Sequence, residues 1–331
     1  MSLALSEPIT LHADTGADDE IERRELDAQV RGQYQIVREL GRGGMGVVFL
    51  ARDLALHRTV AIKVLRHEFV DSEEHRERFR REARFAARLS HPGIVPVYTF
   101  GESPELVYIV MQYVQGVSLA ERIRTGGRLP AAEAARLLRD LADALAYAHG
   151  EGMVHCDLKA ENVLIERTSG RAYLTDFGVA RLRSAGGEDC GRLHASGTPL
   201  YMSPEQAVGE PDIDGRSDIY SLGVLGYLML AGRLPFEGTS FTALAAQHVV
   251  QTPAPLAGLA PTAPAPLVVA VERCLAKERG DRWQRADELR QALAGEAGRP
   301  RWRWNAPVRI GPWGWVKVVA GLAAAVVLFG R

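Results

Sequence analysis

Cysteine is scarce in this chain: of 331 residues only Cys156, Cys190 and Cys274 carry thiols, 34 and 84 positions apart. An odd number without a CxxC pair excludes a disulfide framework and zinc-binding spacing, and reads as three reduced thiols in a cytosol. Charge of one sign is also missing. With 40 basic and 41 acidic residues the formal net charge is −1, so no global basic field exists and no nucleic-acid partner is expected. The N-terminus has neither a basic start nor an apolar core of signal-peptide length. Long apolar runs are few. Ile219 to Ala231 is apolar nearly all round, but thirteen residues are too few to cross a bilayer, so it reads as a buried core helix. What is present, 47% hydrophobic residues, is enough for a large core and fits one bilobal domain plus tails.

Against that background one stretch stands out: His155-Cys156-Asp157-Leu158-Lys159-Ala160-Glu161-Asn162, followed by the apolar run Val163, Leu164, Ile165. Three polar residues at this spacing can serve one phosphate, Asp157 taking a hydroxyl's proton, Lys159 meeting negative charge and Asn162 holding a magnesium ion. The bland alternative is a polar turn before a strand. Upstream, Tyr34 to Leu40 reads as a strand running into Gly41-Arg42-Gly43-Gly44-Met45-Gly46-Val47-Val48. Missing side chains let such a backbone approach phosphates. Because Val47 to Ala51 is another β run and no helix opens there, a hairpin is preferred over a dinucleotide-binding turn. Val60-Ala61-Ile62-Lys63-Val64-Leu65 alternates as a strand. In the helix expected from about Ser72 to Leu89, Glu82 lies three after Phe79, four before Ala86 and seven before Leu89. That places an acid on the apolar face, where it is costly unless paired; Glu73 and Glu77 fall off that face. Finally, Leu174-Thr175-Asp176-Phe177-Gly178 sets Asp176 14 residues after Asn162, with a turn around Ser169-Gly170 between.

In this order the segments resemble the protein-kinase family, and in style, including Gly43-Gly44-Met45-Gly46, a bacterial eukaryotic-like (Hanks-type) serine/threonine protein kinase. The family's catalytic loop is H-R-D-L-K-x-x-N, from which this chain departs at Cys156, where arginine is usual. The resemblance covers roughly residues 34–293 and implies an α+β, bilobal protein-kinase fold, with a β-rich N-lobe over 34–115 and a mainly helical C-lobe over 116–293. It implies ATP and Mg2+ as cofactors, with Mn2+ as an alternative metal. Leu40, Gly41, Arg42, Gly43, Gly44, Met45, Gly46, Val48 and Ala61 would contact the nucleotide, and Lys63 would reach its phosphates, held by Glu82. Met111, Gln112, Tyr113 and Val114 resemble the hinge that binds adenine, with Leu164 as its floor; Asn162 and Asp176 would hold the metal. Asp157 and Lys159 are the catalytic pair, and Thr198 would hydrogen-bond toward them from Ser196-Gly197-Thr198-Pro199-Leu200-Tyr201-Met202-Ser203-Pro204-Glu205, the family's substrate-docking segment. The Gly-Thr-Pro-x-Tyr form together with Lys159 looks like serine/threonine rather than tyrosine kinases. Glu205 is expected to pair with Arg282, and Asp218 to cap a helix beginning at Ile219 and brace the catalytic loop. Arg181 to Ala195 reads as a mobile activation loop, with Ser184 and Ser196 as candidate phosphorylation sites. The implied partners are proteins with Ser/Thr acceptors; a homodimer for autophosphorylation is compatible with this.

The ends of the chain differ from its middle. Residues 1–33, with Asp14, Asp18, Asp19, Glu20 and Glu22, read as a disordered acidic tail. Five prolines between 253 and 266 suggest a linker, but Leu267 to Ala276 is helical again, so the domain continues to about Leu293. Residues 294–309 form a basic juxtamembrane linker carrying Arg299, Arg301, Arg303 and Arg309, and 310–330 an apolar stretch whose only charge is Lys317. Its 21 residues would rise about 31 Å as a helix, matching a bilayer core of about 30 Å. Trp313 and Trp315 suit the interface, and the arginines place the kinase on the cytoplasmic side of the cell membrane as a single-pass protein. A cytoplasmic protein with this tail packed on the kinase is the alternative. Two other functional classes compete. A pseudokinase is disfavoured because Lys63, Glu82, Asp157, Asn162 and Asp176 are all present, and a small-molecule phosphotransferase because Thr198 to Glu205 suits peptide docking.

Overall fold

The computed structural model describes residues 18–44, 46–177, 181–182, 199–238 and 240–295. They divide into two compact units: residues up to 80 together with 97–113, and residues 81–96 together with those from 114 onward.

The first unit contains α1 (Asp18–Gln29), β1 (Tyr34–Arg42), β2 (Gly46–Asp53), β3 (Arg58–Leu65), α2 (His67–Val70), the start of α3 (Glu73–Arg88), β4 (Val97–Glu102) and β5 (Val107–Gln112). The strands form one antiparallel sheet in the order β1-β2-β3-β5-β4. Alternation sorts its two faces. Val47, Phe49 and Ala51 of β2, Val60, Ile62 and Val64 of β3, and Tyr108 and Val110 of β5 are buried together with Leu26 of α1 and Val30 just after it. On the opposite face Val48 pairs with Lys63 and Ala61 with Met111. Directly opposed residues share a face, so these four line one surface.

Helix α1 corrects the expectation of a disordered tail for residues 18–33, and residues 1–17 of that tail lie outside the described residues. Glu22, Leu26 and Val30 follow at intervals of four and share one helix face, which the sheet covers. Two apolar residues among so many charges make a weak period in sequence; burial against the sheet supplies what the pattern lacks.

The second unit holds β6 (Gly116–Ser118), α4 (Leu119–Gly126), α5 (Ala131–Gly150), β7 (Met153–Val154), β8 (Val163–Glu166), β9 (Ala172–Leu174), β10 (Arg181–Leu182), α6 (Pro204–Ala207), α7 (Gly215–Ala231), α8 (Phe241–Val250), α9 (Leu256–Leu259), α10 (Ala265–Cys274) and α11 (Ala286–Ala294). Its core joins Leu137, Leu138, Leu141, Leu145 and Ala148 of α5 to Ile219, Leu222, Val224 and Leu225 of α7. Helix α7 begins earlier than the expected Ile219. Asp214 caps it by accepting from Arg216 N at 2.9 Å, and Gly232, at φ 73°, ends it in the left-handed conformation. The proline-rich stretch is no linker: Pro255 and Pro264 immediately precede α9 and α10.

The N-lobe expected to run unbroken over 34–115 is interrupted. Leu89 and Ile94 belong to the second unit's core, Val95 N donates to Leu174 O at 2.9 Å, and Leu174 N to Gly93 O at 2.8 Å. Two small sheets, β6-β8-β9 and β7-β10, complete this unit and carry the loops between their strands. A Cβ at Gly116 would fall 1.8 Å from Ile165 O, so β6 can lie against β8 only with glycine there. Among the described residues no helix is long and apolar enough to cross a membrane. The expected spanning segment, 310–330, lies outside the described residues, as does all but the first two residues of the 294–309 linker.

Candidate active site

In the first unit the glycine-rich turn closes the β1–β2 hairpin. Gly41 and Arg42 pair with Val48 and Val47, and Gly43 N donates to Gly46 O at 2.8 Å. Gly46 has to be glycine, since a Cβ would lie 2.9 Å from Val64 O and 3.4 Å from Lys63 Cε. Lys63 is half-buried beside it, its Nζ 5.8 Å from the Phe79 ring centre. Arg42 directs its guanidinium to Glu22 and Glu39, at 3.3 and 3.2 Å, and contributes backbone to the turn. Leu40 and Val48 are half-buried; Ala61 and Met111 are buried, and Gln112 and Tyr113 lead to the crossing between units at Val114. Glu82 is half-buried on α3, in the second unit. Met45, Gly178, Ser184, Cys190, Ser196 and Thr198 lie outside the described residues.

The second unit builds the polar loop between β7 and β8. Asp157 Oδ2 accepts from Lys159 Nζ at 2.8 Å and from Asn162 Nδ2 at 3.3 Å, while Asn162 Nδ2 also donates to Asp157 O at 2.9 Å. With its amide nitrogen so used, Asn162 keeps its amide oxygen for another ligand. Thr175 N donates to Asn162 O at 3.0 Å, which sets Asp176 beside this loop. Leu164 follows on β8, half-buried between buried Val163 and Ile165.

Two residues here sit in the left-handed region without being glycine, Cys156 at φ 63° and Asp176 at φ 59°. Such strain persists only where surroundings over-determine it. For Cys156 they do. Its N–H donates to Asp218 Oδ1 at 2.9 Å and its carbonyl accepts from Gln206 Nε2 at 2.8 Å. Asp218 is fully buried, and its second oxygen accepts from His155 N at 2.8 Å and meets His149 Nε2 at 2.7 Å. Burial works to raise its pKa, but the histidines and backbone N–H groups outweigh it and hold the carboxyl below the usual range. Asp218 therefore braces the loop, and the capping role expected of it belongs to Asp214. His155 also packs at a tilt of 43° against Phe177, ring centres 4.6 Å apart, and its Nε2 meets Thr175 O at 3.2 Å.

Below the loop, Arg282 forks onto Glu205 with two 2.8 Å hydrogen bonds, both side chains almost wholly buried. Burial alone would raise the Glu205 pKa; Arg282 and Ser217 bring it below the ordinary value. Sequence reasoning overlooked Gln206 and His149. The signal for Gln206 was available, because Ser203 and Gln206 form a capping box at the start of α6. Nothing local marks His149, whose partner lies 69 residues away.

Residues 34–292 match the protein kinase domain family. The chain belongs to that family. Within it, the kinase is similar to bacterial serine/threonine-protein kinases: pkn2 of Myxococcus xanthus, 43% identical over 80% of this chain and 32% of the relative, and PknB of Mycobacterium tuberculosis, 42% identical over 79% and 42%. PrkC of Bacillus subtilis is 37% identical over 80% of this chain and 40% of its own length, so the chain spans about a third to two-fifths of these relatives. Among solved structures, the PknI kinase domain of Mycobacterium tuberculosis superposes with a TM-score of 0.62 at 30% identity, covering 80% of this chain and 97% of that one. These relatives place the kinase among bacterial Hanks-type serine/threonine kinases.

Proposed function

We propose that this chain transfers the γ-phosphate of ATP to serine or threonine hydroxyls of proteins, with magnesium as the working metal and manganese as a substitute. The observation that carries the reading is the loop in which Asp157, Lys159 and Asn162 converge on one carboxylate oxygen. Asn162 and Asp176 would hold the metal, which when bound would supply charge neutralisation to the phosphate oxygens. The donors offered, the Asn162 amide oxygen and the Asp176 carboxylate, fit a hard cation that keeps waters and phosphate oxygens as its other ligands. Among the described residues no group of three or more His, Cys, Asp or Glu forms a protein-only cage, which fits a site of this shared kind.

In this reading Asp157 accepts the proton of the acceptor hydroxyl as its oxygen bonds to phosphorus and the bond from phosphorus to the ADP oxygen breaks. Lys159 meets the charge of the phosphate in transit. Lys63 orients the nucleotide's phosphates beside the glycine turn, and the backbone of Met111 to Val114 offers hydrogen bonds to the adenine. The test is incubation of the purified chain with magnesium ATP and a serine-containing protein, followed by mass spectrometry. Phosphoserine or phosphothreonine on the acceptor supports the reading; ATP turnover with no protein product would sink it in favour of a small-molecule acceptor.

We further propose that residues 310–330 anchor the kinase in a membrane with its catalytic domain on the cytoplasmic side. The support is compositional: Lys317 is the only charge in that stretch, and arginines cluster on one flank. Full-length protein should then sediment with membranes and resist both high salt and alkali, while a chain ending at Leu293 stays in the supernatant. Release by salt alone would replace spanning with electrostatic surface attachment. Recovery of full-length protein in the supernatant without treatment would favour a cytoplasmic kinase.

A further inference from the structure

Helix α1 precedes residue 34, where the family match begins, yet it is built into the first unit. Leu26 and Val30 are fully buried in the sheet's core, and Glu22 on the same face is 2% exposed. A carboxylate so buried is costly unless paired. Its partner is Arg42 Nη1 at 3.3 Å, and Arg42 is the second residue of the glycine turn; Arg42 Nη2 reaches Glu39 Oε2 at 3.2 Å. The guanidinium is thus forked between the strand entering the turn and a helix outside the family domain. Cross-strand pairing explains the direction: Arg42 opposes Val47, which faces α1, while neighbouring Gly41 opposes Val48, on the Lys63 face. Among the described residues, a Cβ at Gly41 or Gly44 would touch nothing within 4 Å. A second foothold links Glu25 Oε1 of α1 to His67 Nδ1 of α2 at 3.5 Å, at the approach to α3.

We propose that α1 is a positioning element for the nucleotide turn, with Glu22 setting the turn's place through Arg42. This rests on the reading that the turn binds ATP phosphates. A helix of 12 residues is marginal by itself in water. Its docking is therefore an equilibrium that can be biased, and by linkage nucleotide binding stabilises docked α1 as much as docked α1 favours nucleotide. An event that undocks α1 weakens ATP binding without touching the catalytic loop.

The experiment uses the full chain and compares wild type with Glu22→Leu, Arg42→Gln and the double variant by initial-rate kinetics in magnesium ATP and a peptide. Leucine suits a buried position on an apolar face, so a purely structural helix keeps or gains thermal stability in Glu22→Leu with its ATP KM unmoved. Positioning instead raises the ATP KM about fivefold, equivalent to about 1 kcal/mol, in each single variant, with kcat and peptide KM within about twofold. The double variant should be no worse than either single one, because both break the same link. Amide exchange supplies an independent reading: residues 18–29 should become more protected when a non-hydrolysable ATP analogue binds wild type, and not in Glu22→Leu. An unchanged ATP KM in Glu22→Leu, additive effects in the double variant, or a parallel decline of kcat, both KM values and melting temperature would each overturn the proposal. If Glu22→Leu does not fold, Glu22→Gln, which keeps the side chain's shape and removes its charge, and the exchange experiment on wild type decide instead. Absence of phosphotransfer in wild type would instead defeat the kinase reading, leaving the exchange result to judge α1.

Discussion

Asp157 holds one carboxylate oxygen against both Lys159 and Asn162, so an amide in its place keeps the shape and loses the base. Asp157→Asn should lower phosphate transfer at least about 100-fold, in line with general-base losses, while ATP affinity measured by titration stays nearly unchanged. Lys63→Met should also abolish transfer. Near-full activity of purified Asp157→Asn would contradict the assigned role. These residues were legible in sequence because their spacing lies within one short loop. Gln206, which holds that loop from 50 residues away, and His149, which meets the loop's brace Asp218 across 69 residues, were not. Cys156 is a different case. A thiol cannot form the ion pair with a phosphorylated loop residue that arginine makes in most of the family, and its backbone is already fixed by Asp218 and Gln206. Activity is therefore expected to be insensitive to phosphate on the activation loop. Phosphatase-treated protein, and Ser184→Ala with Ser196→Ala, should match untreated enzyme on one peptide; a loss beyond about tenfold, or about 1.4 kcal/mol of barrier, would reject this.

Among elements, the four-residue α6 illustrates how a short piece is held. Its capping box satisfies its first backbone groups, and Glu205 anchors it to Arg282 beyond α10. Arg282 is fully buried, and besides Glu205 it donates to the carbonyls of Ala276, Arg216 and Lys277. Removing one partner strands the other charge in the interior. Arg282→Met should cost about 3–5 kcal/mol in urea unfolding, and Glu205→Gln less, since an amide still accepts from the guanidinium. Equal stability of Arg282→Met and wild type would show that the pair is replaceable by packing. The long helices α5 and α7 were readable from apolar pattern and length. Helix α1 was not, because its two apolar anchors gain meaning only from a sheet surface assembled by strands that follow it. The start of α7 was misplaced for a related reason: Asp214 and Asp218 both suit a helix start, and only the fold shows which one keeps its carboxylate for the helix.

For the whole molecule, the buried polar groups of the second unit set how it responds to acid. His248 on α8 is fully buried, its Nδ1 3.0 Å from Tyr220 Oη, and Lys277 donates to its backbone carbonyl at 2.7 Å. Burial, then the Lys277 charge, pushes the imidazole pKa down to about 3, against the opposing pull of the Leu200 and Pro199 carbonyls. Lys277 is itself lowered well below the ordinary lysine value by burial and by Arg282. A histidine depressed in the fold contributes stability that is complete above its unfolded pKa, about 6.5, and is lost as pH falls toward the folded value. Glu205 and Asp218 are depressed too, but their unfolded forms take up protons only near pH 4 to 4.5, roughly, so their losses begin lower. Lys277 obeys the same sign from its own unfolded value of about 10.4 downward, and the further loss due to His248 starts in the histidine range, well above the carboxylate one. Between about pH 6 and 5, His248→Gln should flatten the dependence of unfolding free energy on pH, removing up to about 1.4 kcal/mol per pH unit, the value for one proton. Urea unfolding of wild type and variant at half-unit pH steps measures this. Parallel curves over that interval would mean that His248 takes up its proton in the folded state and that Tyr220, Phe236 and Lys277 do not enclose it as tightly as the geometry describes.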